Sequence, residues 1–284
     1  MLTPMLLLTL SLAAAAVGGN GPTHRDPPRS MLGVKLRPAV RDLLREVEKL
    51  FGREVTAEFL SRTSEDDDHG HAVISEDGAP TIQVSDKARQ GGAQMVESII
   101  AHELLHLRLR AGGYPTVLLT GPTDLMTEFG PHMKEVSNRL RNGLEHWSFA
   151  PEMRRMGFSE VSVLKTGKAR VGEAAREGRG DDILLALHLY RAVLEYDDPP
   201  LLADLRRNYS EGRRYGAIKK ADALAQIVTA GRPRTPEEFR ETLLRLHATA
   251  YSPLFVFSRL PDVTETAGKV RLSRLHLQVS RRVN

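Results

Sequence analysis

His102 and His106 stand four residues apart in the run Ile99-Ile100-Ala101-His102-Glu103-Leu104-Leu105-His106-Leu107. On an α-helix, positions i and i+4 lie one above the other, so two imidazoles at this spacing can reach a single metal ion. Glu103 lies next to the pair, where its carboxylate can take a proton from a metal-held water and pass it on to a leaving amine. Zinc lowers the pKa of such a water to about 7, which makes the nucleophile available near neutrality. The chain has no cysteine. Any zinc is therefore held by histidine and carboxylate side chains.

The helix that carries these residues is apolar on two sides. Ile100, Leu104, Leu107 and Ala111 form one face, while Met95, Ile99 and Leu109 share the opposite face with the histidines. Two imidazoles and a carboxylate buried among such neighbours are costly unless each has a strong partner, and a bound cation is one.

The stretch from Ile99 to Leu107 resembles the active-site helix of the zincin metallopeptidases, with Arg108 standing where that pattern has a hydrophobic residue. The resemblance covers the region from Val55 to Glu152. It implies one zinc ion held by His102 and His106, Glu103 as general base, and a peptide or protein as substrate. Zincin branches differ in the third ligand. Leu109 and Gly112 occupy the positions where the metzincin branch needs Gly and His, which excludes that branch. The gluzincin branch takes a glutamate from a later helix, and Glu145, 39 residues after His106, is the expected third ligand.

Two alternatives stay open. His146 is adjacent to Glu145, but neighbours on a helix diverge by about 100°, so only one of the two is expected to ligate. Asp124, in Gly121-Pro122-Thr123-Asp124, is the other. The apolar stripe Met133, Val136, Leu140, Leu144 and Trp147 faces away from Glu145. Two other functions compete with a peptidase: a zinc-binding or inhibitory protein without catalysis, and a hydrolase of a non-peptide amide such as a cell-wall cross-link. The intact Glu103 argues against the first.

The elements that must position this chemistry follow from pattern and punctuation. Pro38 starts an amphipathic helix that stops before Gly52, with Val40, Leu43, Leu44, Val47 and Leu50 as its stripe. Extended segments are expected at Val55 to Leu60, His71 to Ser75 and Thr81 to Ser85. The last two are joined by a turn at Glu76-Asp77-Gly78, and the last is expected to offer its edge to an extended substrate. The motif helix spans Gln94 to Arg110. A loop containing Gly121-Pro122 and Gly130-Pro131 then leads to a helix from His132 to Ala150, ended by Pro151. Helices are expected at Ile183 to Glu195, Leu201 to Tyr209, Lys219 to Ala230 and Pro236 to Tyr251, with a strand at Val270 to Val279. The predicted class is α+β, a small zincin-like sheet packed on the motif helix with a mainly helical C-terminal part. Its divisions are a signal peptide at 1–17, a linker at 18–33, a catalytic domain at 34–160 and a helical region at 161–284.

Lys and Arg number 40 against 36 Asp and Glu, and most are interleaved with acids. Nucleic acid is therefore not expected as a partner. The uncharged segment Met5 to Val17, followed by Gly18-Gly19-Asn20-Gly21-Pro22, reads as a secretory signal and predicts export to a periplasmic or extracellular space. It is short against the about 20 apolar residues of a membrane span, so stable insertion is not expected, with an uncleaved N-terminal anchor as the alternative. The run Glu65 to His71 lacks the ordered spacing of a calcium loop. Arg206 to Tyr215 reads as solvated helix ends, and His188, His247 and His276 as core or boundary histidines.

Overall fold

A computed structural model describes residues 30–60, 70–158, 181–196 and 199–282. The segment 5–17 and the acidic run 65–69 lie outside the described residues. The architecture is α+β: among the described residues, a two-stranded hairpin, two larger sheets and a set of packed helices.

Helix α1 (Pro38–Phe51) begins with Pro38 in its first turn and ends at Gly52, whose φ of 65° suits a residue without Cβ. It buries Val40, Leu43, Leu44, Val47 and Phe51. Ahead of it, β1 (Ser30–Met31) and β2 (Val34–Lys35) pair as a short hairpin. Met31 is buried, so the end of the segment expected to be a linker is part of the folded body.

Strands β3 (Thr56–Leu60), β4 (Gly70–Ile74) and β5 (Pro80–Ser85) form a three-stranded sheet in the order β3-β5-β4. β5 runs parallel to β3 and antiparallel to β4. It is thus the central strand, and its expected role as a substrate-binding edge is corrected: both of its edges are taken, and β3 and β4 form the sheet margins among the described residues. After the short α2 (Asp86–Gln90), α3 (Ala93–Ala111) carries the histidine motif and packs on α1 and on β4 and β5. Arg108 does not face a core. It is paired with Glu152 and Glu46, which explains how a charge replaces the expected hydrophobic residue.

Strand β6 (Thr116–Thr120) lies where a loop was expected. Helix α4 then runs unbroken from Thr123 to Arg155, through both Pro131 and Pro151. Each proline removes one helical hydrogen bond. Burial on both sides of each outweighs that loss: Leu125 and Met133 flank Pro131, while Ala150 and Met153 flank Pro151. Next come α5 (Asp182–Arg191), a π-helical turn at Ala192–Tyr196, α6 (Pro199–Glu211), α7 (Tyr215–Gly231) and α8 (Pro236–Tyr251). Helix α8 opens with a capping box in which Thr235 and Glu238 each satisfy the other's backbone N–H.

The chain closes with β7 (Phe255–Arg259), β8 (Val263–Ala267) and β9 (Val270–Arg281). β9 pairs with β7 and β8 antiparallel and with the distant β6 in parallel, so the C-terminal part holds a sheet as well as helices. The basic stretch near α6 is committed to ion pairs, Arg206 with Asp222, Arg207 with Asp204 and Arg214 with Asp182.

Two apolar cores meet on α4, and a third, smaller one joins α5, α6 and α7. Of the two on α4, one gathers α1, the first sheet and α3 with Phe149 and Met153 of α4. The other gathers Met133, Val136, Leu140 and Leu144 of α4 with α7, α8 and the second sheet. α4 is therefore covered on more than one side. Among the described residues no helix is long and apolar enough to cross a membrane.

Candidate metal centre

The i, i+4 spacing on α3 stacks His102 and His106, and α4 crosses beside them. His106 Nε2 lies 3.1 Å from His102 Nε2 and 3.2 Å from His146 Nε2. One nitrogen from each ring thus faces a common point, and the three ligand atoms lie within 4.8 Å of one another. This cluster could hold a metal ion.

Glu145, expected as the third ligand, stands elsewhere. Its Oε2 accepts a 2.6 Å hydrogen bond from His106 Nδ1, on the far side of the ring from the cluster. The third inward-facing nitrogen belongs to His146. Asp124 sits exposed in the first turn of α4, outside the cluster. Glu145 and His146 both reach the site because His106 offers two nitrogens on opposite sides, so side chains diverging by about 100° can serve different atoms of it.

Electrostatics settle the protonation of this pair. Burial alone would raise the pKa of Glu145, but Arg141, the hydrogen bond and charge of His106, and Arg110 outweigh it and hold the carboxyl at about 2. Burial lowers His106 to about 4 against the opposing pull of Glu145. At neutral pH the imidazole is uncharged and its single proton is on Nδ1, bonded to a carboxylate. Nε2 is left as a lone pair aimed at the cluster. Burial, then His106, His146 and Arg191, likewise lowers the pKa of His102. Uncharged imidazoles are the form that binds metal.

Glu103 is 6% exposed and places Oε1 4.0 Å from His102 Nε2. Gly70, at the start of β4, lies against it. A Cβ there would come within 2.5 Å of Ile99 and 3.8 Å of Glu103 Cγ, so glycine lets the marginal strand approach α3 at this point. Phe149 closes another side, its ring centroid 5.3, 5.0 and 5.4 Å from those of His102, His106 and His146. Close packing of α5 on α4 is set one turn before His146. At Gly143 a Cβ would meet Tyr190 at 2.5 Å, and the Tyr190 hydroxyl donates to the Leu140 carbonyl.

Phe149, which shares a helix face with Glu145 by spacing, belongs to this neighbourhood, as do Arg110 and Arg141, which pattern did not single out. The signal that could have found the arginines is their spacing: Arg110 is one turn beyond His106, and Arg141 one turn before Glu145. Of the single histidines, His247 and His276 find protein partners, Leu243 and Ser137 for the first and Thr120 for the second. No family model, curated protein or solved structure matches this chain.

Proposed function

We propose that this chain is a zinc-dependent peptidase of zincin type, with His102, His106 and His146 as the metal ligands. The observation that carries the reading is the convergence of three imidazole Nε2 atoms on one point, with the tautomer of His106 held by Glu145. Three imidazoles form a donor set typical of catalytic zinc, and the absence of thiolates suits a site that exchanges water. Zinc there would act as a Lewis acid, lowering the pKa of a coordinated water to about 7.

The remaining steps fall to the chain itself. Glu103 takes the proton of the attacking water on its carboxylate and returns it to the leaving amine. Glu145 stabilises positive charge on the ligand set through His106 Nδ1, as carboxylates behind metal-bound histidines do. β4 presents its outer edge, unpaired among the described residues, alongside Glu103. A peptide can add there as a further strand.

Glu103→Gln tests this reading. The amide matches the carboxylate in size but cannot accept the proton, so zinc content should stay at about one ion per chain while turnover of casein peptides falls by roughly 10²- to 10⁴-fold. A variant that keeps full turnover would remove Glu103 from the reaction. Wild-type protein that retains zinc but cleaves peptidoglycan and not casein would move the substrate to a cell-wall amide.

A further inference from the structure

Arg110 and Arg141 form a second polar feature beside the histidines. Both lie at the α3–α4 contact, and the Nε atom of each is buried without a hydrogen-bond partner. Arg141 places Nε 3.7 Å from Glu145 Oε1 and donates from Nη2 to Asn142 Oδ1 at 3.3 Å. Among the described residues, the hydrogen-bond contact of Arg110 is a long one of 3.5 Å from Nη1 to the Ala72 carbonyl of β4. The carboxylates whose charge reaches Arg110 are Glu145 and Glu103; Glu145 already serves His106, and neither hydrogen-bonds the Arg110 guanidinium among the described residues. Buried cations in that position favour a further anion.

The space for one is present. Arg110 lines a recess of about 230 Å³ bounded by Ile74, Tyr114, Thr116 and Leu272. Arg274 and Glu265 also line it and neutralise each other at 2.7 Å. The recess therefore keeps the charge of Arg110. Its position relative to the reacting centre follows from β4, which begins at Gly70 beside Glu103, passes Arg110 at Ala72 and ends at the recess with Ile74. At about 3.3 Å per residue, the four steps from Gly70 to Ile74 span about 13 Å. Along α3, the seven residues from Glu103 to Arg110 span about 10 Å at 1.5 Å each. Helix and strand thus run side by side from the general base to the guanidinium.

From this arrangement we infer that Arg110, backed by Arg141, is a specificity residue that binds a carboxylate of the peptide two to four residues from the scissile bond. That carboxylate is either the free C-terminus or an acidic side chain. The inference rests on the peptidase reading for the direction of the substrate, but the carboxylate site can be tested without turnover.

The test is titration calorimetry of zinc-loaded protein carrying Glu103→Gln, so that no peptide is consumed. The probes are one N-acetylated tripeptide as its free acid, the same peptide as its amide, and the amide with Asp as last residue. Charge-assisted hydrogen bonds of this kind correspond to about 10- to 100-fold in affinity. The free acid should bind that much tighter than the plain amide if the C-terminus is the anchor, and the Asp amide should do so if a side chain is. Adding Arg110→Gln should abolish the preference while zinc content stays unchanged, and Arg110→Lys should restore part of it. Equal binding of all three peptides, or no binding of any, would overturn the inference without needing an arginine variant. Loss of zinc and of all peptide binding together in both Arg110 variants would also overturn it, making Arg110 a support of Glu145. Carboxylate-dependent binding without hydrolysis by the wild-type enzyme would leave the inference standing and overturn the peptidase reading.

Discussion

Two buried histidines lean on the same helix, and their surroundings differ in one respect. His247 of α8 donates from Nδ1 to the Leu243 carbonyl at 2.7 Å and accepts at Nε2 from the Ser137 hydroxyl of α4 at 3.0 Å. Both nitrogens are satisfied by the protein. His106 also has its Nδ1 proton placed, on Glu145 of α4, but its Nε2 lone pair faces two further imidazole nitrogens. A lone pair so placed gains more from a cation than from another imidazole. Burial depth does not separate the two, since burial lowers both to about 4. What sets His106 apart from His247 is an Nε2 that faces other imidazole nitrogens where His247 has a hydroxyl.

The largest effect expected from this contrast is on metal affinity. His146→Ala removes one inward nitrogen and should lose more zinc affinity than Glu145→Ala, for which removal of an outer-shell partner typically costs 10- to 100-fold. Competition with a chelator measures both. A Glu145→Ala variant that loses as much as His146→Ala would make Glu145 a ligand and dissolve the contrast.

The second effect concerns pH and His247. Its folded pKa of about 4 lies below the ordinary 6.5, so above 6.5 neither folded nor unfolded chain carries the proton and its contribution is complete. Between 6.5 and 4 only the unfolded chain takes the proton up, so stability falls as pH falls, by roughly 3 kcal/mol in all. His247→Gln should flatten the dependence of Tm on pH across that window while leaving zinc affinity unchanged. A variant with the wild-type slope would show that His247 does not titrate in this way.

The smallest effect tests whether the two histidines share their support. Gly143 lies on α4 between Ser137 and Glu145, with Tyr190 against it. Gly143→Ala should overpack this contact and cost about 1–3 kcal/mol in denaturant unfolding. Both zinc affinity and the titration of His247 should shift with it. A change in only one would mean that the two sites hang on α4 independently.

The motif helix was legible because its signal is local: spacing set the two histidines and Glu103, and apolar residues around the helix announced burial on both sides. Helix α1 was equally legible from Pro38, Gly52 and its stripe, except that Phe51 is buried where Leu50 was expected and Leu50 is exposed. The third inward-facing imidazole was less so: Glu145 was expected there, with His146 left as an alternative. Reading Met133, Val136, Leu140, Leu144 and Trp147 as the buried stripe assumed one covered face, whereas α4 is covered by both cores and hides Glu145 as well. The second sheet escaped for another reason. Its parallel pair joins Thr116 to Arg274, and no local pattern encodes a partner so distant. Pro131 and Pro151 misplaced the ends of α4 because a proline's local penalty was taken to decide what tertiary packing decided.

The passage of α4 from one core to the other has a consequence for how the protein comes apart. Leu144 belongs to one core and Phe149 to the other, and His146 lies between them. An ion shared by His106 and His146 would rivet the seam and close a chain loop of 40 residues. Any partial opening that separates the cores would first have to release it. Such a clasp stabilises the closed form against every intermediate that lacks the ion, by an amount set by free metal over its dissociation constant. The loaded chain should then resist piecemeal attack by other proteases, and the stripped chain should be nicked at the seam before either core unfolds.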